Sequence, residues 1–311
     1  MKSEFDWKNF TPGPIQLIPG FFDEHNLHLL RLDQIQSWAS GNKYYKLKYP
    51  LKYALIKGIT TIVSKGGMFS NHLAALAEAT HHFNIQLIAI VRSHVPDEGN
   101  PTMRRLKELN CRLEFVTPEE YNRYDEQVSQ DQFPGAMFID EGGLSSEGIK
   151  GSAEIVEEFR HLNFDHVVIA GGSMCTAIGL MSALSADTWL HIVPAWKGCN
   201  EQYVDSILSK YEINPSCSWD LWPEYHFGGF GKFNQELIEF MTSFTNATGV
   251  VLDPVYTGKL LFAVKDKMKN GFFRKGDSIL AIHTGGLQGL AGYAYRFPEQ
   301  WGGYEAMVKK Y

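Results

Sequence analysis

Cysteine is scarce in this 311-residue chain: Cys111, Cys175, Cys199 and Cys217 are scattered and show no CxxC spacing. That argues against a disulfide framework or a thiolate zinc site and for reduced thiols. Metal-ligand spacing is lacking too, since His81 and His82 stand side by side on a helical stretch, so no metal is expected. No apolar window approaches a membrane span, and Met1 to Phe10 is polar and mixed in charge, without an apolar leader core. The expectation is a cytoplasmic protein with no membrane partner. A net charge of -6 and the want of any long basic run speak against a nucleic-acid partner. Neither GxGxxG nor GxxxxGK(S/T) occurs, which speaks against dinucleotide-dependent oxidoreduction and P-loop chemistry.

What the chain does have is the balance of a globular protein, 44% hydrophobic and 21% charged, with enough length for one large domain or two sharing a cleft. Short apolar runs alternate with amphipathic stretches. Strands are expected at Leu27–Leu32, Thr61–Ser64, Leu87–Val91, Arg112–Val116, Ala136–Ile139, His166–Ala170, Leu190–Pro194 and Ser278–His283. Helices are expected at Leu47–Lys57, Asn71–Phe83, Pro101–Leu109, Gly148–His161, Thr176–Ala183, Gln202–Tyr211, Asn234–Thr248 and Gly258–Asn270. Several strands are apolar throughout, as in parallel sheets covered by helices on both faces, so the fold class is α/β. The strand–glycine turn–helix units predict a small α/β domain at residues 46–163, inserted into a larger one built from 1–45 and 164–311.

Three segments carry chemistry. Ser40-Gly41-Asn42-Lys43 sets a lysine on a tight turn just before an apolar helix, where desolvation would lower its pKa. Any single lysine also fits a solvated surface position. Ser70-Asn71-His72 follows Gly66-Gly67 and opens a helix whose free N–H groups can take a carboxylate; an ordinary helix cap fits the same residues. Strand Val167–Ala170 runs through Gly171-Gly172-Ser173-Met174-Cys175-Thr176 into a helix N-terminus, a geometry that cradles phosphate. Cys175 there reads as a small packing residue that contributes its backbone N–H.

Two further segments, Asp253-Pro254-Val255-Tyr256-Thr257-Gly258-Lys259 and His283-Thr284-Gly285-Gly286, can bring Tyr256 and Thr284 to the crevice at the strand ends. Tyr256 also fits a core position. Taken together, a lysine on a turn, a carboxylate-receiving helix start and a phosphate cradle are what pyridoxal phosphate and an amino acid require.

In their order and intervals these segments resemble the fold-type II (tryptophan synthase β-like) pyridoxal-phosphate enzymes. Within them the chain most resembles the 1-aminocyclopropane-1-carboxylate deaminase and D-cysteine desulfhydrase family, from about Pro14 to Tyr293. The resemblance implies two helix-covered, mostly parallel sheets, pyridoxal 5'-phosphate as cofactor, a small amino acid as substrate, and a homodimer. It implies Lys43 as the lysine that bonds the cofactor and moves the α-proton, with Ser70 and Tyr256 as further catalytic candidates. Asn71, Gly172, Ser173, Met174, Cys175, Thr176, Thr257 and Thr284 would bind the cofactor; Ser70, Asn71, His72, Phe230 and Tyr256 would face the substrate.

Thr257 and Thr284 stand where the ring-opening deaminases typically carry Glu and Leu, and the desulfhydrase branch typically has Thr at both. A carboxylate at the pyridine nitrogen deepens the electron sink, which an unactivated ring needs; a hydroxyl suffices when thiolate departs. The expected activity is therefore β-elimination from D-cysteine to pyruvate, ammonia and sulfide. Its competitors are deamination of 1-aminocyclopropane-1-carboxylate and, in another class, cofactor binding or sensing without turnover. Phe230 replaces a tyrosine common in the family, and Tyr225 is the residue that could restore that hydroxyl.

Overall fold

The computed structural model describes residues 10–21, 27–35, 37–301 and 304, so the reading of the first nine residues lies outside the described residues. Among these, six strands form one sheet: β1 (Ile15–Ile18), β2 (Leu27–Arg31), β7 (His166–Gly171), β8 (Trp189–Pro194), β9 (Ser218–Leu221) and β10 (Ile279–His283). Their order is β1-β2-β10-β7-β8-β9, parallel throughout except for the β1–β2 pair. A second, all-parallel sheet has the order β5-β4-β3-β6, from β3 (Thr61–Gly67), β4 (Gln86–Arg92), β5 (Arg112–Val116) and β6 (Met137–Ile139). The α/β expectation holds.

Helices cover both sheets: α1 (Asn42–Ile56), α2 (Asn71–His82), α3 (Pro101–Glu108), α4 (Pro118–Arg123), α5 (Glu126–Gln132), α6 (Ser146–Ala153), α7 (Cys175–Met181), α8 (Glu201–Lys210), α9 (Gln235–Thr248), α10 (Thr257–Lys269) and α11 (Gly289–Arg296). Alternation along the central strands feeds a core on each face of the larger sheet. Leu29, Val168 and Ala281 enter one core, while Leu30, Ile169 and Ile282 enter the other. Helix α1 joins the two layers: Tyr44 and Tyr45 pack with the larger sheet, and Leu47, Leu51 and Ala54 pack with the smaller.

The structure departs from the expected elements in three ways that bear on the site. First, α1 starts at Asn42, not Leu47, because Gly41 enters it at φ +65° and the Asn42 N–H bonds Thr284 O at 3.1 Å. Lys43 therefore sits on the first turn of a helix. Second, β3 continues through Lys65-Gly66-Gly67. A Cβ at Gly66 would lie 2.6 Å from Ser70 Oγ, so that glycine serves the fold-back of α2 onto its own strand. Third, the helix expected at Gly148–His161 ends at Ala153 and tightens into 3-10 turns at Glu154–Glu158 and Arg160–Leu162. There Lys48 and Tyr49 hold Glu154, and Tyr45 holds Glu158, so side chains of α1 draw the chain inward. Short elements lacking strong periodicity, among them β1, β9 and α11, had no counterpart in the sequence reading.

Helix α6 sets the spacing between the two helices that matter most. A Cβ at Gly151 would lie 2.0 Å from Tyr45 O on α1, and one at Gly179 on α7 would lie 2.5 Å from Ser152 Cβ. Backbone cannot yield at those contacts. Gly151→Ala and Gly179→Ala are each expected to lose about 1–3 kcal/mol through overpacking. A denaturant titration reads this as a lowered midpoint at constant slope; unchanged midpoints would contradict the close packing.

Candidate functional site

The neighbouring strands β2, β10 and β7 end side by side, and the chain leaving each one contributes to the same crevice. After β2 comes Lys43. Its Nζ donates to Asn42 Oδ1 at 3.0 Å, and Asn42 Nδ2 donates to Thr176 Oγ1 at 2.9 Å, linking α1 to the start of α7. Burial and then the neighbouring charge of Lys46 lower the Lys43 pKa to about 7. Lys46 lies one turn further along α1, itself buried, with Nζ 3.1 Å from Gly142 O and 3.4 Å from Ser173 Oγ. Two ammonium groups thus meet at a helix start.

After β7 the chain passes Gly172 and Ser173 and reaches Met174 at φ +62°, a left-handed conformation unusual for a side chain of that size. Its side chain fills the core beneath Gly171, where a Cβ would lie 2.7 Å from Met174 Sδ. The first bond within α7 runs from Ile178 N–H to Met174 O, so the N–H groups before it have no partner within the helix. Cys175 is fully buried, with Sγ near Gly143 O (3.4 Å) and Ser152 Oγ (3.8 Å), in keeping with a packing role. Ser173 and the two lysines flank the cradle.

At the head of α2, Ser70 Oγ accepts the Leu73 N–H at 3.2 Å, so it is a true cap. Asn71 fits tightly against Gly286 and Gly289, and its Oδ1 accepts from Gln288 at 3.1 Å. His72 is buried with Nε2 2.9 Å from Ser64 Oγ, whose own proton goes to Ile139 O at 2.6 Å. The imidazole must then donate through Nε2, which leaves Nδ1 as an acceptor without a partner among the described residues. Burial, aided by Lys43 and Lys46, lowers its pKa to about 3, so the ring is neutral. A carboxylate at this point would meet the backbone N–H of His72 and not a cationic ring.

Before α10, the buried Asp253 carboxylate accepts from the N–H groups of Val255, Tyr256 and Thr257 and from Thr257 Oγ1 at 2.6 Å. Thr257 Oγ1 also accepts the Asp253 N–H at 2.8 Å. The tightly bonded turn aims Tyr256 at the cradle: a Cβ at Gly172 would lie 3.0 Å from the tyrosine ring and 3.1 Å from its hydroxyl. Burial pushes the Tyr256 pKa up, so its hydroxyl keeps its proton. Phe230 stands 5.9 Å from Tyr256, edge to face, and is 58% exposed at the rim. Tyr225 does not restore a hydroxyl there, because its OH is committed to Asp266 at 2.6 Å. Thr284 is buried and holds the Asn42 N–H through its carbonyl.

Lys43, Asn71, Gly172 to Thr176, Tyr256 and Thr284 therefore converge, with Cys175 turned into the core, Phe230 at the edge and Thr257, next to Tyr256, buried against Asp253. The sequence placed Asn42 and Asp253 in their segments without a site role and gave no sign of Lys46. Lys46 stayed hidden because the helix was expected to begin only at Leu47; the start at Asn42 is what puts Lys43 and Lys46 on one helix face.

The residues fit pyridoxal phosphate on their own geometry. A lysine of lowered basicity, a second ammonium and the free N–H groups of α7 suit an aldehyde and a phosphate, and only glycine at 172 leaves the narrow gap beside Tyr256. A family model described as pyridoxal-phosphate dependent enzyme matches residues 8–285. A Pyrococcus abyssi protein named "Putative 1-aminocyclopropane-1-carboxylate deaminase" is 30% identical over 301 residues, covering 90% of this chain and 91% of its own. The Arabidopsis thaliana mitochondrial bifunctional D-cysteine desulfhydrase/1-aminocyclopropane-1-carboxylate deaminase is 29% identical, covering 90% of this chain and 77% of its own. A crystal structure of an ACC deaminase homologue superposes with a TM-score of 0.79 at 25% identity, covering 93% and 94% of the two chains. The chain belongs to the 1-aminocyclopropane-1-carboxylate deaminase and D-cysteine desulfhydrase family of pyridoxal-phosphate dependent enzymes.

Only an unprotonated amine condenses with an aldehyde. A pKa lowered to about 7 means that this form predominates above neutrality. The rate at which cofactor-free protein captures pyridoxal phosphate, followed by visible absorbance, is expected to rise as pH increases through about 7 and then level off. An ordinary lysine would still be gaining rate near its unperturbed value of about 10.4. Lys46→Met removes a charge that disfavours the Lys43 ammonium and is expected to move the midpoint upward.

Proposed function

We propose that this pyridoxal-phosphate dependent enzyme acts on D-cysteine by β-elimination, with water, to give pyruvate, ammonia and hydrogen sulfide. The observation that carries this reading is the bonding of Thr257. Its hydroxyl proton is taken up by Asp253, so a neutral oxygen, and not a carboxylate, is what that position offers a ligand. The bound cofactor supplies a ring that withdraws the electron pair left when the amino acid's α-proton is removed. A modest electron sink of that kind suits a substrate whose β-substituent leaves readily as thiolate.

The residues divide the work by their protonation states. The N–H groups opening α2, at Asn71 and His72, receive the substrate carboxylate, with Ser70 fixing that helix start. Lys46, Ser173 and the start of α7 hold the phosphate; Asn71 holds the ring's oxygen substituent. Lys43 Nζ, poised near neutral pKa, takes the α-proton. Tyr256, whose hydroxyl stays protonated, donates to the departing sulfur. The enamine released hydrolyses in water to pyruvate and ammonia.

The names of the relatives support deamination of 1-aminocyclopropane-1-carboxylate as a second reading. Both readings are tested in one assay. Cofactor-loaded protein is expected to release sulfide and pyruvate from D-cysteine and no 2-oxobutanoate from the cyclopropane substrate. Lys43→Ala should abolish release, and Tyr256→Phe should lower kcat by about 10²-fold while the cofactor stays bound. 2-Oxobutanoate release with no sulfide would overturn the D-cysteine reading in favour of the second.

A further inference from the structure

Lys259, on the first turn of α10, is 1% exposed, yet among the described residues no carboxylate bonds its ammonium. Its Nζ instead donates to three main-chain carbonyls: His226 O at 2.8 Å, Gly229 O at 2.9 Å and Ala195 O at 3.2 Å. An ammonium has three N–H donors, and all three are used. The carbonyls come from two places. Ala195 follows β8, and its N–H bonds Gly171 O, at the edge of the phosphate cradle. His226 and Gly229 belong to the segment that carries Phe230.

That segment is built around the cation. Phe227, Gly228, Gly229 and Gly231 have φ of +52°, +90°, +127° and +69°. Positive φ at these positions bends the chain back on itself, so that His226 O and Gly229 O, three residues apart, reach one ammonium. Its bonding within itself is thin: Gly229 N–H to His226 O, Lys232 N–H to Gly229 O and Gly228 N–H to His226 Nδ1. Tyr293 OH adds a bond to Gly231 O at 2.9 Å. Phe230, 58% exposed, has little burial of its own to hold it against Tyr256. Burial lowers the Lys259 pKa to about 8, which still leaves the group charged at neutral pH.

We propose that Lys259 is a positioning residue, an internal cation that folds residues 226–231 and so holds Phe230 against Tyr256 as a wall of the substrate site. The same geometry implies that the three carbonyls, once freed of the ammonium, take a free monovalent cation in its place. The effect on substrate rests on the D-cysteine reading above; the effect on the segment does not.

The test uses cofactor-loaded Lys259→Ala protein and hydrogen–deuterium exchange. Amides of residues 228–232 should exchange about tenfold faster than in the wild type while β7 and β10 are unchanged. Ammonium or potassium chloride should return the rate toward wild type, and sodium or lithium chloride at equal ionic strength should not. KM for D-cysteine should rise and fall with the same cations, with kcat less affected. A role in stability alone would speed exchange across both sheets and show no cation preference. Exchange at 228–232 that is unchanged, global or indifferent to the cation overturns the proposal. If Lys259→Ala folds poorly, recovery of loaded protein in potassium but not sodium supports it; equal recovery in both, with wild-type exchange in Lys259→Met, overturns it. A wild type inactive on D-cysteine would sink the substrate reading, and exchange alone would then decide the role of Lys259.

Discussion

The contact on which the site depends is the one between Gly41 and the end of β10. A Cβ at Gly41 would lie 2.2 Å from Thr284 O, and the Asn42 N–H bonds that same oxygen. Residue 41 also takes a positive φ, so two independent constraints call for glycine. Through this contact the start of α1 is fastened to the larger sheet, while the rest of α1 packs into the core of the smaller one. Beneath it, buried Arg31 bonds both oxygens of Asp33, and Asp33 lies 3.2 Å from His283. The lysine's position is thus set where the segments leaving β2 and β10 meet, close to the strand ends.

Charge then explains what that position is for. Lys43 and Lys46 stand one turn apart at the N-terminal end of α1, beside the N-terminus of α7, and burial disfavours the charge on both. Among the described residues their amines bond Asn42, Gly142 and Ser173, and neither bonds a carboxylate. Buried cations without anions are costly. An arrangement of this kind is stabilised when a dianion such as a phosphate ester arrives, and the free N–H groups of α7 add to the attraction. Asp253 plays the opposite part. It collects four donors, the Thr257 hydroxyl among them, and turns the chain into α10.

The α/β class and the strands β7 and β10 were legible because buried parallel strands are apolar without alternation. The cradle after β7 and the cap at Ser70 were legible because local chemistry decides them. The true start of α1 was not, since the deciding bond reaches from Asn42 to Thr284, more than two hundred residues away. Nor was the bond of His72 to Ser64, which fixes the tautomer of an imidazole that burial keeps neutral. The Lys259 clamp was hidden for the same reason: its partners are carbonyls, which every residue has. Close packing at Gly151 and Gly179 also escapes a sequence, because a glycine shows its purpose only beside its neighbour.

The central claim is that this fold selects Lys43, and not the adjacent Lys46, as the amine that bonds pyridoxal phosphate. Borohydride reduction of the cofactor-loaded protein, followed by peptide mass spectrometry, tests it most directly. The account predicts the reduced cofactor on Lys43, with Lys46 unmodified. Modification at Lys46, or a scatter over surface lysines, would contradict it.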